Sequence, residues 1–175
     1  MLEQILINIS VSRNFTKGDI LQSAGQESSK VYFVKKGLLR SYTIDDKGKE
    51  HIYMFASEGW IISDIEKEVF ENKTVLFIEA IEDSEVYAFN PEQLYQLEGR
   101  HAYSDYIFSS LMKRIGVMQR RILALMSASA KERYESFLQI YPDLQNRIPQ
   151  KMIASYLGIT PEALSKIRGQ IVRNK

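Results

Sequence analysis

Residues 148–168 read IPQKMIASYLGITPEALSKIR. Two short stretches with helical apolar spacing flank Gly158-Ile159-Thr160-Pro161, and both carry basic residues. Pro149 suits the first turn of a helix, where a missing N–H removes no intrahelical bond. Ile153, Ala154 and Leu157 recur on one helical face, and the small Ala154 lets a second helix cross closely. Gly158 supplies the left-handed residue that ends a helix. Thr160 is an N-cap, and Pro161 takes the first position of the helix that follows. On that helix Leu164, Ile167 and Ile171 form a narrow apolar stripe. The opposite face holds Glu162, Lys166, Gly169 and Arg173, with Ser165 and Gln170 on its flanks. One side docked and the other polar and basic is what a DNA-reading helix needs, because its first turns meet base edges while flanking cations meet phosphates. A plain helical hairpin with a wet polar face has the same spacing.

Charge along the chain bears on that choice. The net charge is only +1, but residues 1–109 sum to −7 and residues 110–175 to +8. A basic C-terminal part suits a polyanion. The chain has no cysteine, which excludes disulfides, thiolate metal sites, iron–sulfur clusters and thiol nucleophiles together. No apolar run reaches the roughly 20 residues of a bilayer span. The opening MLEQILINIS lacks a basic leader and a cleavage site, so a cytoplasmic location without membrane attachment is expected.

Upstream, apolar and β-branched runs alternate with turn signals. VYFVKK (31–36), LLRSYTI (38–44), HIYMFA (51–56), VLFIEAI (75–81) and SEVYAFN (84–90) read as strands. Asp45-Asp46-Lys47-Gly48 between two of them is a hairpin signal. Spacings near ten residues predict an antiparallel sandwich or barrel. After Pro91 the period changes. Phe108, Leu111, Ile115, Met118, Ile122 and Leu125 alternate by three and four, the spacing of a helix packed on a partner helix or on its own barrel. A further helix runs from about 130 to 141 and stops at Pro142.

These segments together resemble the Crp/Fnr family of transcription regulators. FTKGDILQSAG (15–25) followed by VYFVKKGLLRSY (31–42) is similar to the family's barrel opening. Ile153, Ala154, Leu157, Gly158, Ile159, Leu164 and Ile167 fall on its helix–turn–helix framework without gaps. The resemblance implies an α+β fold: an N-terminal antiparallel β-barrel of the cyclic-nucleotide-binding, jelly-roll type, a long dimerisation helix, and a small all-α helix–turn–helix domain. The implied boundaries are 1–99, 100–128 and 129–175. The implied function is that of a homodimer on double-stranded DNA with a palindromic operator, and an activator would also meet RNA polymerase. A barrel signal would change the pairing geometry of the long helix.

Carried residue by residue, the resemblance makes Glu162, Ser165, Lys166 and Gly169 base-reading candidates. Lys151, Thr160, Arg168, Gln170 and Arg173 are phosphate candidates, and Arg114, Arg120 and Arg121 join them unless the dimer seam claims them. Glu162 suits a cytosine amino group and Lys166 suits guanine. Pro161 stands where the family has an arginine, so its usual operator does not carry over. The family's wing and trailing hairpin have only Pro142–Ile148 and the seven residues after Arg168 to form in, so a minimal DNA-binding unit is expected.

The barrel departs further. Family members that bind cyclic AMP carry Gly-Glu and then Arg-Ser or Arg-Thr. Ser63-Asp64 and Thr74-Val75 stand there instead. Asp64 retains a carboxylate for a ribose hydroxyl, but Thr74 cannot neutralise a phosphate. Lys73 is a point charge on the other side of the strand, and Asp64-Ile65-Glu66-Lys67-Glu68 is acidic. No ordinary cyclic AMP binding is expected at this degenerate cassette; the ligand is unknown and no cofactor is expected. A haem sensor would need an axial histidine, and only the isolated His51 and His101 exist. Trp60, Tyr53, Tyr32 and Phe55 line either a pocket or the core. Two other classes remain. A cupin-like enzyme needs a histidine-rich metal set, which His51 alone does not supply, so no enzyme activity is expected. A ligand-binding or protein-interaction module that has lost sequence-specific DNA binding is compatible with Pro161 and the missing wing.

Overall fold

The computed structural model describes residues 10–70, 72–95 and 101–173. The opening segment up to residue 9 lies outside them, and so does the expected boundary at 99/100. The chain divides into two compact units, Met1–Ser110 and Leu111–Lys175.

The first unit carries β1 (Val11–Phe15), β2 (Ile20–Gln22), β3 (Val31–Lys36), β4 (Leu39–Ile44), β5 (Glu50–Ala56), β6 (Ile61–Ile62), β7 (Phe77–Ala80) and β8 (Ser84–Phe89). They form two four-stranded antiparallel sheets, ordered β1-β8-β3-β6 and β2-β7-β4-β5. This is the antiparallel barrel-like architecture that the strand spacing implies. The period-two pattern sends alternate side chains to different cores. Val34, Leu39, Ile62, Ile78, Ala80 and Val86 meet in a fully buried interior cluster. Val31, Phe33, Tyr87 and Phe89 form a second cluster, with Phe33 stacked on Tyr87. Full burial of one such side chain is worth about 1.5–3 kcal/mol, so these clusters dominate the unit's stability. Tyr32 belongs to the interior cluster, Tyr53 and Trp60 pack against it, and Phe55 is wholly buried.

The Asp45–Gly48 turn joins β4 to β5. Gly48 adopts φ 75°, and the Asp45 carboxylate accepts from the Lys47 and Lys49 amides at 3.0 and 2.9 Å. His51 contacts Asp45 at 2.8 Å on this exposed hairpin. Arg40 is buried on β4. Its guanidinium donates to Glu79 at 2.6 and 3.0 Å and to Glu50 at 2.5 Å, and lies 4.1 Å from the centre of the Tyr42 ring. Burial opposes its charge, but the two carboxylates more than offset this and hold its pKa above the ordinary arginine value.

Two short helices complete this part, α1 (Ile65–Phe70) and α2 (Pro91–Tyr95). The long helix α3 (His101–Ser127) begins in the first unit and ends in the second. The second unit continues with α4 (Ala130–Ile140), a 3-10 turn at Leu144–Asn146, α5 (Gln150–Leu157) and α6 (Pro161–Arg173). Ser129 and Glu132 start α4 with a reciprocal capping box. No described helix is long and apolar enough to cross a membrane.

Candidate nucleic-acid interface

The second unit is built around aromatic side chains. Phe137 lies 5.3 Å from Tyr141 and 5.6 Å from Tyr156, ring centre to ring centre, and Tyr134 stacks at 6.4 Å. Offset and tilted pairs at these separations are favourable beyond their burial. Ile153, Ala154 and Leu157 bury one face of α5, and Leu164 and Ile167 bury the stripe of α6. Ile171 is half-buried. Arg121 of α3 lies 4.1 Å from the centre of the Tyr156 ring and donates to the Tyr156 carbonyl at 3.0 Å.

The turn between α5 and α6 has the geometry its residues dictate. Gly158 adopts φ 65° and ψ 37°, the left-handed region. The Gly158 amide donates back to Ala154 and Ser155, and the Ile159 amide donates to the Ala154 carbonyl at 3.0 Å. These bonds satisfy the open carbonyls of α5. The Thr160 hydroxyl accepts from the Ala163 amide at 3.2 Å and caps α6. Pro149 sits one position ahead of α5 and not inside it, because its carbonyl accepts the first helical bonds, from Met152 and Ile153.

With Leu164 and Ile167 buried, the other face of α6 is held outward. Glu162, Ser165 and Lys166 are exposed, as are Gln170 and Arg173, while Arg168 and Gly169 are half-buried. Glu162, Ser165, Lys166 and Gly169 share one helical face by their three- and four-residue spacing. Glu162 and Lys166 form no ion pair despite that spacing. The Glu162 carboxyl turns to its own backbone N–H and to the Thr160 hydroxyl, which hold its pKa below the ordinary glutamate value. Arg173 folds back to donate to the Gly169 carbonyl at 3.2 Å. Lys151 is exposed on α5. Neither it nor Lys166 or Arg168 makes an ion pair among the described residues. Arg120 is exposed, whereas Arg114 is only 7% exposed and Arg121 is half-buried against the Tyr156 ring. Between α4 and α5 the 3-10 turn stands where a wing would be.

The seam residues of α3 are open to solvent in the single chain. Phe108 is 66% exposed, Ile115 54%, Ile122 55%, Leu111 44% and Leu125 42%, and Met118 is half-buried. Together they make an exposed apolar stripe along the described part of α3.

The barrel cassette is occupied by the chain itself. Asp64 is fully buried. Its Oδ2 accepts from the Val75 amide at 2.7 Å and the Leu76 amide at 2.9 Å, with the Gln22 side-chain amide at 3.4 Å. Thr74 is buried, its hydroxyl accepting from the Gln26 amide and donating to the Ser23 carbonyl, both at 2.8 Å. Ser63 is buried, and Lys73 points to the surface, where it pairs with Glu27 at 2.9 Å. Thr74 stands where the resemblance places an arginine, and the Asp64 carboxylate already accepts from two backbone amides. Nearby, Gln22 Oε1 and Ser41 Oγ are buried without a hydrogen-bond partner among the described residues, and both pair in register with Ile78 of the interior cluster. The acidic run after Asp64 forms α1, and the carboxylate's inward turn was hidden because its partners lie eleven residues away.

Comparison with known proteins agrees with this architecture. Residues 12–101, just over half the chain, match the model of the cyclic nucleotide-binding domain. The fumarate and nitrate reduction regulatory protein of Vibrio cholerae is 27% identical over 189 residues, covering 99% of this chain and 74% of that protein. Regulatory protein HlyX of Actinobacillus pleuropneumoniae is 28% identical, covering 90% of this chain and 70% of its own. Among solved structures, FixK2 from Bradyrhizobium japonicum superimposes with a TM-score of 0.77 at 20% identity, covering 95% of this chain and 86% of that one. A CooA mutant from Carboxydothermus hydrogenoformans gives 0.78 at 21% identity, covering 97% and 79%. The chain belongs to the cyclic nucleotide-binding domain family, and its architecture is that of the Crp/Fnr regulators.

Proposed function

We propose that this protein is a homodimeric, sequence-specific DNA-binding transcriptional regulator, cytoplasmic and without catalytic activity. The observation that carries the reading is the outward face of α6. Glu162, Ser165 and Lys166 stand exposed over a buried stripe, and Lys151, Lys166 and Arg168 are cations without ion-pair partners among the described residues. In this reading Glu162, Ser165, Lys166 and Gly169 face base edges. Lys151, Thr160, Arg168, Gln170 and Arg173 meet phosphates. The exposed stripe of α3 pairs with that of a second copy and sets the two α6 helices roughly 34 Å apart, one turn of duplex. The relatives' names as regulators support the same class.

A barrel signal biases the pairing geometry between two states. Because the cassette lacks an arginine, the ligand is not cyclic AMP. An activator of this design also meets RNA polymerase.

The test is a titration against random duplex DNA and against a selected pool at several salt concentrations. A steep loss of affinity with salt and enrichment of a palindrome are expected. Salt-insensitive or absent binding contradicts the reading and favours a module without DNA function.

A further inference from the structure

Two successive backbone amides, Val75 and Leu76, converge on a single oxygen at 2.7 and 2.9 Å. Adjacent N–H groups pointing at one place make an anion site, whatever carries the anion. Here the anion is the chain's own Asp64, which is fully buried. We infer that Asp64 is a tethered surrogate for a ligand's phosphate: it fills the amide pair from within and keeps the barrel's cassette folded and closed to phosphate-bearing ligands.

The surroundings fit a closed clasp. The other Asp64 oxygen faces the Lys67 amide at 3.4 Å, so the same carboxylate sits at the start of α1. On the far side, the Thr74 amide donates to the Gln26 carbonyl at 2.9 Å and the Gly25 amide to the Thr74 carbonyl at 2.7 Å. The Ser29 hydroxyl donates to Glu68 of α1. Residues 74–76 are therefore tied to the 22–26 segment on one side and to Asp64 on the other. A diffusing phosphate would have to displace a carboxylate that loses no translational freedom on binding. Lys73, next to Thr74 in the chain, does not help it, because its ammonium is paired with Glu27 at the surface. The substitution of Thr74 for an arginine and the inward turn of Asp64 are then one change: with the anion built in, no cation is needed to recruit another.

Asp64 holds the cassette whether or not α6 binds DNA, so the two tests fail separately. The full-length chain, labelled with nitrogen-15, is compared with Asp64→Ala, using inorganic phosphate and cyclic AMP as probes. In the wild type the Val75 and Leu76 amide resonances stay in place at millimolar levels of either probe. In Asp64→Ala, losing charge-assisted bonds to two backbone amides lowers Tm by on the order of 10 °C. Millimolar phosphate, but not chloride at equal ionic strength, recovers part of that loss and moves the two resonances. Cyclic AMP shifting them in the wild type overturns the inference, and so does an unchanged Tm in the variant. A destabilised variant indifferent to phosphate also overturns it, since the amides would then be no anion site. Should Asp64→Ala not fold, hydrogen exchange decides. The Val75 and Leu76 amides of the wild type must be protected as strongly as the central β8 amides, and Asp64→Asn must lower that protection at least tenfold. Wild-type amides that exchange like loop amides refute the clasp.

Discussion

Truncating the α3 stripe should dissociate the protein without unfolding it. Ile115 and Ile122 are 54% and 55% exposed in the single chain. Fully burying an isoleucine is worth about 1.5–3 kcal/mol, so covering the exposed half returns about 1 kcal/mol. A twofold dimer makes each contact twice. Ile122→Ala therefore weakens pairing by about 2 kcal/mol, roughly thirtyfold in Kd. The two residues sit seven apart, roughly 10 Å along the helix, so their effects nearly add. Ile115→Ala/Ile122→Ala should cost about 4 kcal/mol, on the order of a thousandfold. Alanine is the better helix former, so α3 itself is not weakened. Sedimentation velocity over a dilution series measures the change, and far-UV circular dichroism checks the fold. Val69→Ala on α1 is the control, since Val69 is 62% exposed and lies outside the stripe. The reasoning is refuted if the wild type is monomeric at every concentration, or if the α3 variants dissociate no more readily than Val69→Ala.

Other consequences are smaller but as direct. At Gly158 an added Cβ would sit 3.4 Å from Leu125 Cδ2, an ordinary contact, so the cost is the left-handed backbone alone. Gly158→Ala should lose about 1–2 kcal/mol by thermal unfolding and Gly158→Asn less. The Ser129 hydroxyl and amide hold the Glu132 carboxyl below the ordinary glutamate pKa. A lowered folded-state pKa gives stability that is present above the unfolded-state value and lost as pH falls through the folded one. Unfolding followed by circular dichroism should therefore show an acid limb that flattens in Glu132→Gln. On DNA, Lys166→Ala should relax sequence preference at one position of each half-site, whereas Lys151→Ala should weaken all sequences alike and lower the salt slope by about one. Binding to selected and random duplexes separates the two.

Strands β3, β4, β5, β7 and β8 and the last two helices were legible because their signals are local. Unbroken apolar runs at 31–34 and 86–89 mark strands buried on both faces, and Gly158, Thr160 and Pro161 each act within one turn of themselves. Strands β1, β2 and β6 escaped because β2 and β6 span only three and two residues, β1 is exposed at four of its five positions, and their partners are distant: Val11 pairs with Ala88, and Ile61 with Phe33. Tyr156 is buried only by tertiary packing, because Arg121 of α3, Phe137 of α4 and Tyr141 just after α4 converge on it. Arg114 looks like any basic residue of a long helix until burial removes it from the surface. The cassette's loss of arginine was visible in Thr74-Val75, but the use of Asp64 was not. A carboxylate does not announce in sequence which amides it will find. The open α6 face, by contrast, follows from the stripe Leu164, Ile167 and Ile171, since fixing one side of a helix fixes the other.

Two copies of this chain are expected to read two half-sites of one duplex. The most direct measurement is the mass of the complex on a palindrome selected from random DNA, determined by sedimentation equilibrium at physiological salt. Two chains on one duplex are expected, with binding to an isolated half-site weaker by at least tenfold. One chain per duplex, or equal affinity for half-site and palindrome, contradicts it.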